Sequence, residues 1–253
     1  MLKDKRLIIS FIKQRGMKMA GGIQEIAKKY NNFLFIGEAG SGKSEIAVNV
    51  ASQLLSSGNK KVHFFDMDMT KPLFRSRDLC KELLELGMEF HYEQQFMDAP
   101  TLVGGVNRLL RDEESFVVMD AGGDYMGARS IGGFSSQINR QDTIVYYVIN
   151  PYRPWSYDLE HIDKVLGEVL GVSHISIDSI HLISNPNMGH LTTAEEIMEG
   201  NRQLEEIVTP HKKLDFLCVR EELFEAVKDK LSIPVMPIHL YLTYPWVVSM
   251  DKK

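Results

Sequence analysis

The stretch "FLFIGEAGSGKSEIAVNVA", Phe33 to Ala51, sets a strand-like apolar run against three glycines, then Lys43 and Ser44, then an apolar pattern at helical spacing. Gly37-Glu38-Ala39-Gly40-Ser41-Gly42-Lys43-Ser44 satisfies G-x-x-x-x-G-K-[ST], with a strand before it and a helix after it, the context that motif requires. Glycines let the backbone wrap close to an anion, so that N–H groups and a helix N-terminus point at it. The reading is a phosphate cradle. Gly37, Gly40, Ser41, Gly42, Lys43, Ser44 and Glu45 form the expected binding set, with Lys43 reaching the terminal phosphates and the Ser44 hydroxyl binding Mg²⁺.

Two acidic strand ends complete that chemistry, because a phosphate loop by itself places neither metal nor attacking group. "FVVMDAGGD" puts Asp120 at the tip of a buried strand, where it can hold the Mg²⁺ shell while the Gly122-Gly123 backbone approaches the γ-phosphate. "HFFDMDMTKPLF" offers Asp66 and Asp68 after the second strand, two residues apart and so on one side if the strand persists. One positions a nucleophilic water; the other, Asp68, supports the metal. Thr70, Lys71 and Arg75 lie just beyond, within reach of a γ-phosphate.

Around these motifs strands and helices alternate. Strands are read in "KVHFFDMD", "MEFHYEQQF", "SFVVMD", "DTIVYYVIN", "DSIHLISN" and "LDFLCV". Helices are read in "GGIQEIAKKY", "RDLCKELLELG", "APTLVGGVNRLLRDEE", "SYDLEHIDKVLGEVLG", "TTAEEIMEGNRQLEEIV" and "REELFEAVKDKL". Uniformly apolar strands separated by helices imply a mainly parallel, doubly wound sheet in a three-layer α/β/α sandwich. Ligands of such sheets bind at the carboxyl ends of the strands, where the polar clusters fall. Residues 1–32 read as an N-terminal extension and lead-in helix, and residues 33–253 as one domain.

The bulk properties narrow the partners. The chain has 253 residues, 44% hydrophobic and 25% charged, with a formal charge of −5. That balance argues against unaided nucleic-acid binding, which wants a basic face. No run approaches the ~20 apolar residues of a membrane span. The apolar core Leu7–Ile12 of the basic N-terminus is too short for a secretory signal. Two distant cysteines, Cys80 and Cys218, with no CxxC and no Cys/His cluster, give little support to an intrinsic zinc or iron–sulfur site and fit a reducing cytoplasm.

With these pieces in order the chain resembles the MinD/ParA branch of the P-loop NTPases, in the wider class that includes the signal-recognition-particle GTPases and nitrogenase iron protein. The resemblance rests on Gly37–Ser44, Asp66/Asp68 and Asp120–Gly123, joined by "VINP" at Val148–Pro151 and "LISNPN" at Leu182–Asn187. It spans roughly residues 33 to 234. It implies the P-loop NTPase fold, an ATP–Mg²⁺ site and hydrolysis that can depend on a protein partner, with Asn185 at the base. The group's loop begins with a lysine that reaches into the other subunit of a nucleotide-bridged dimer. Glu38 stands there, which leaves a homodimer open without that contact.

GTPases of the wider class read guanine with N-K-x-D, a motif absent here; the amides of "SNPN" suit the adenine edge. The glycine-rich Gly122–Phe134 reads as a mobile element, with Arg129 available to neutralise charge. The tail, broken by Pro234, Pro237 and Pro245, speaks against an amphipathic membrane anchor. A second reading is a kinase or ligase acting on a small carboxylate, in which Arg153 and Trp155 clamp a planar anion.

Overall fold

The structure is a computed structural model that describes residues 21–67, 79–92, 100–123 and 125–241. Strands are β1 Asn32–Ile36, β2 Lys61–Met67, β3 Glu89–Tyr92, β4 Ser115–Ala121, β5 Thr143–Ile149, β6 Ile180–Ser184, β7 Leu214–Arg220 and β8 Val235–Ile238. They form one sheet in the order β3-β2-β4-β1-β5-β6-β7-β8, with every described pairing parallel. Helices are α1 Gly21–Ala27, α2 Lys43–Ser57, α3 Cys80–Glu85, α4 Pro100–Leu109, α5 Tyr125–Gly132, α6 Ser135–Ile138, α7 Leu159–Ser173, α8 Ala194–Val208 and α9 Phe224–Val227. The expected three-layer α/β/α architecture is the observed one.

The sheet separates two cores, as strands buried on both faces require. On one face Phe33, Phe35, Phe64, Val118 and Tyr146 pack under Ile46, Val50 and Leu54 of α2 and Ile23 of α1. On the other, Leu34, Ile36, Val117, Met119, Val145 and Tyr147 meet Val106 of α4, Ala128 and Ile131 of α5, Ile162 and Val169 of α7 and Leu204 of α8. Alternation along each strand assigns its side chains to one core or the other. The lead-in helix therefore belongs to the same core as β1, through Ile23 (1% exposed).

Local signals end the helices where they should. Gly58, at φ 67°, closes α2 by donating its N–H to the Leu55 carbonyl. Thr193 and Glu196 form a reciprocal capping box at the start of α8.

Three expectations change. "REELFEAVKDKL" is a 3₁₀ turn, Glu221–Leu223, followed by the single turn of α9, because this segment packs only on a small apolar cluster. The proline-broken tail contributes β8, with Pro237 in register with Val219. A proline lacks the N–H a central strand must donate, and β8 lies at the sheet edge, where that loss is tolerated. The segment read as a mobile element, Gly122–Phe134, carries α5, whose Ala128 and Ile131 are buried together with Phe134. No described helix is long and apolar enough to cross a membrane.

Candidate nucleotide site

The glycine motif joins β1 to α2 at the carboxyl edge of the sheet. Gly37, Gly40 and Gly42 have φ of 147°, 78° and 90°, values that side-chain-bearing residues rarely adopt. The first i→i−4 bond of α2 runs from the Ile46 N–H to the Gly42 carbonyl, so the positive end of the helix opens onto the loop. The Ser41 N–H closes a turn onto the Glu38 carbonyl at 3.0 Å. Ser41 is 1% exposed, and its hydroxyl has no hydrogen-bond partner among the described residues.

The loop is held from behind by amides of two neighbouring strand ends. Asn185, after β6, donates its side-chain amide to the Ser41 carbonyl at 2.7 Å. Asn150, after β5, donates to the carbonyls of Gly40 (3.2 Å) and Asn187 (2.7 Å) and accepts from the N–H groups of Tyr152 and Asn187. The Arg153 Nε donates to the Gly40 carbonyl at 3.1 Å, and its Nη2 reaches the Asn187 carbonyl at 3.4 Å. These bonds fix the direction of loop carbonyls, and a trans peptide turns each following N–H the opposite way. The amide assigned in the sequence to a base thus fastens the loop, and Arg153, assigned to a substrate clamp, is engaged on the loop crown.

Asp66 in β2 and Asp120 in β4 lie directly in register, and Asp120 is also paired with Phe35 of β1, two residues before the loop. Both share strand parity with Phe64 and Val118 and so face the α2 side of the sheet. Helix α2 packs across β1, β2 and β4 on that side, with its first residue, Lys43, 2% exposed. Asp66 and Asp120 are each 1% exposed. Carboxylates at two adjacent strand ends, with a lysine and a serine at the start of the overlying helix, are donor types that suit a divalent cation next to phosphate. Ser44, 4% exposed, starts the same helix beside Lys43.

Gly123 touches the loop: a Cβ there would stand 1.9 Å from the Gly37 carbonyl oxygen and 2.9 Å from the Glu38 Cα. The contact is with the loop backbone itself, which holds the end of β4 against the glycine motif. Gly123→Ala should lower stability by about 1–3 kcal/mol through overpacking, a drop in Tm of roughly 2–10 °C. An unchanged Tm in thermal unfolding would show that the loop and the β4 end do not pack this closely.

Glu45 turns elsewhere. Buried (6% exposed), its carboxylate accepts the backbone N–H of Tyr241, so it anchors the segment after β8. Asn49 repeats that anchor one turn on, exchanging two hydrogen bonds of 2.8 Å with the backbone of His239. Nothing local marks this strap in the sequence, since the partners lie 190 or more residues apart. Glu38, in place of the resemblance's first lysine, is half-buried beside Tyr147, whose hydroxyl pKa is raised by burial and then by the Glu38 charge. Arg129 is exposed on α5. Asp68, Thr70, Lys71 and Arg75 lie outside the described residues.

No known family profile matches the chain, and no curated protein matches it. Among solved structures it is similar to the 54 kDa signal recognition particle protein of Aeropyrum pernix K1 in complex with GDP, at 19% identity and TM-score 0.48, covering 83% of this chain and 47% of that one. It is similar to the signal recognition particle receptor FtsY of Elizabethkingia anophelis in complex with GDP, at 13% identity and TM-score 0.41, covering 92% and 65%. It is similar as well to FlhF complexed with GTP and Mg²⁺, at 14% identity and TM-score 0.46, covering 78% and 70%. The chain thus spans about half the length of the first and less than two thirds of the second.

Proposed function

We propose that this protein binds a nucleoside triphosphate with Mg²⁺ in the Gly37–Ser44 loop and hydrolyses it as a switch acting on a protein partner. The observation that carries the reading is the loop itself: three glycines at positive φ, a buried lysine at the helix start and an unsatisfied buried Ser41 hydroxyl. Gly37, Gly40, Ser41, Gly42, Lys43 and the start of α2 would hold the phosphates, and Ser44 and Asp120, with Asp68, would hold Mg²⁺. The metal supplies charge neutralisation on the phosphates when bound. Asp66 would orient the attacking water, and Gly123, seated on Gly37, would carry a change at the γ-phosphate toward α5.

The nucleotide proposed is ATP, because the chain lacks N-K-x-D. This is a MinD/ParA-type reading, with the partner unidentified and with neither nucleic acid nor membrane required. The alternative is phosphoryl transfer to a small carboxylate, for which Arg153 would have to serve substrate while its Nε and Nη2 donate to the Gly40 and Asn187 carbonyls.

The test is binding and phosphate release by the full chain with Mg²⁺ and ATP, GTP or inorganic triphosphate, in the presence and absence of metabolite extracts. Saturable binding that Mg²⁺ tightens, with ATP favoured over GTP, is expected. Phosphate appearing on a metabolite would instead establish the transferase. Asn185→Ala separates its two roles. If the residue acts through the loop, affinity for ATP, GTP and triphosphate falls together, by roughly 3- to 10-fold for one lost hydrogen bond. A loss confined to ATP would place Asn185 at the base.

A further inference from the structure

His63, Glu89 and His91 are brought together on the sheet face opposite α2. His63 lies in β2; Glu89 and His91 lie in the edge strand β3, with His63 registered on Glu89 and Phe65 on His91. Residues in register share a face, and His63 is also registered on Val117 of β4, which faces the α4–α7 side. The His63 Nδ1 stands 3.2 Å from the His91 Nε2 and 3.2 Å from a Glu89 carboxylate oxygen. All three donor atoms lie within 4.8 Å of one another, the one such grouping among the described residues.

Metal–ligand bonds of about 2.0–2.2 Å place neighbouring ligands of a tetrahedral or octahedral ion roughly 3.0–3.5 Å apart. The two shorter separations here already have that value. A wider third separation closes by rotation of Glu89, whose side chain is 48% exposed, so no backbone movement is required. His63 is fixed, being 5% exposed, and the His91 ring is stacked on Phe65 with centroids 4.4 Å apart. One donor is rigid, one is held by an aromatic face, and one is free to swing in.

We propose that His63, Glu89 and His91 form a binding site for a divalent transition-metal ion of the Zn²⁺ or Co²⁺ type, separate from the nucleotide loop. Two imidazoles and one carboxylate match the borderline character of these ions and disfavour Mg²⁺, which prefers oxygen ligands and retained waters. Burial lowers the pKa of both histidines from the ordinary value, which keeps the rings neutral and able to ligate near pH 7. Lys61, whose Nζ is 3.6 Å from the other Glu89 oxygen, limits the negative charge of the site. Three protein ligands leave at least one coordination position for water or an exogenous ligand. The site lies three residues up β2 from Asp66 and on the other face, so metal there does not compete for the nucleotide acids. Bound metal would clamp the edge strand β3 to β2.

Sequence reading missed this group because His63 lies far along the chain from the Glu89/His91 pair, and only the cross-strand register brings it to them.

The test is equilibrium dialysis of the full-length protein against Zn²⁺ and, separately, Co²⁺, with visible absorption of bound Co²⁺ as a report on its ligands. The wild type is expected to retain close to one ion per chain, to show Co²⁺ ligand-field bands and to melt at a higher temperature with Zn²⁺. Glu89→Gln, at an exposed position, and His91→Gln, at a half-buried one on the edge strand, should keep the wild-type circular dichroism and MgATP binding while metal affinity falls by about tenfold or more. No retention of Zn²⁺ or Co²⁺ by the wild type would overturn the site, as would equal retention by a Glu89→Gln/His91→Gln double variant. Either result would leave the three side chains as a hydrogen-bonded group.

Discussion

Lys43→Ala is expected to weaken nucleotide affinity by about 10- to 150-fold and to abolish measurable turnover. Lys43 is a buried cation at the first residue of α2, at the mouth of a loop whose backbone is bent by glycines at positive φ. A hydrogen bond to a charged group contributes about 1.5–3 kcal/mol, which converts to that affinity range. Turnover falls further because the lysine would also meet charge that grows on the phosphates in the transition state. Isothermal titration with Mg²⁺–nucleotide and a phosphate-release assay measure the two effects, and circular dichroism confirms that the variant is folded. Wild-type turnover in a folded Lys43→Ala protein would remove the loop from the mechanism.

Asp120→Asn should spare nucleotide binding without metal and reduce Mg²⁺-dependent turnover by roughly 10²–10³-fold. The substitution keeps the shape of a side chain that is 1% exposed and removes its charge. Asp120 sits in register with Asp66, at the end of the strand that neighbours the loop strand, so the lost charge would be one that holds metal beside the phosphates. The discriminating measurement is the Mg²⁺ titration of turnover, whose midpoint should move to higher concentration. A midpoint equal to that of the wild type would reassign Asp120 to a structural role. Thermal unfolding guards against a false positive: the variant must unfold cooperatively above the assay temperature before its Mg²⁺ titration is compared with the parent.

The proposed metal site and the nucleotide site are independent in these tests. Glu89 and His91 lie on β3, and the Lys43 and Asp120 variants leave both untouched. Failure of one proposal therefore says nothing about the other.

The legible part of the protein was short-range. Three glycines, a lysine and a serine between an apolar strand and an apolar helix define their own backbone path, because left-handed φ values and helix N-termini are local properties. Uniformly apolar strands announced burial on both faces, and hence a parallel sheet under two layers of helix. The acids at the ends of β2 and β4 followed from the same runs. Glycines misled in one place. Gly122 to Phe134 looks loose in isolation, yet Gly123 is seated on Gly37 and Gly127 against Gly122, so the small residues serve close packing that only the assembled sheet creates.

What the chain determined unaided was therefore the glycine-bent loop, the alternation of elements and the layered architecture, each encoded by residues within a turn or two of one another. What tertiary structure alone decided was which distant groups meet. It set Asp66 against Asp120, Asn150 and Asn185 behind the loop, the tail across α2, and His63 beside Glu89 and His91. The reason is register: residues far apart along the chain become neighbours only when strands align side by side, and that alignment is fixed by two opposed cores packing at once.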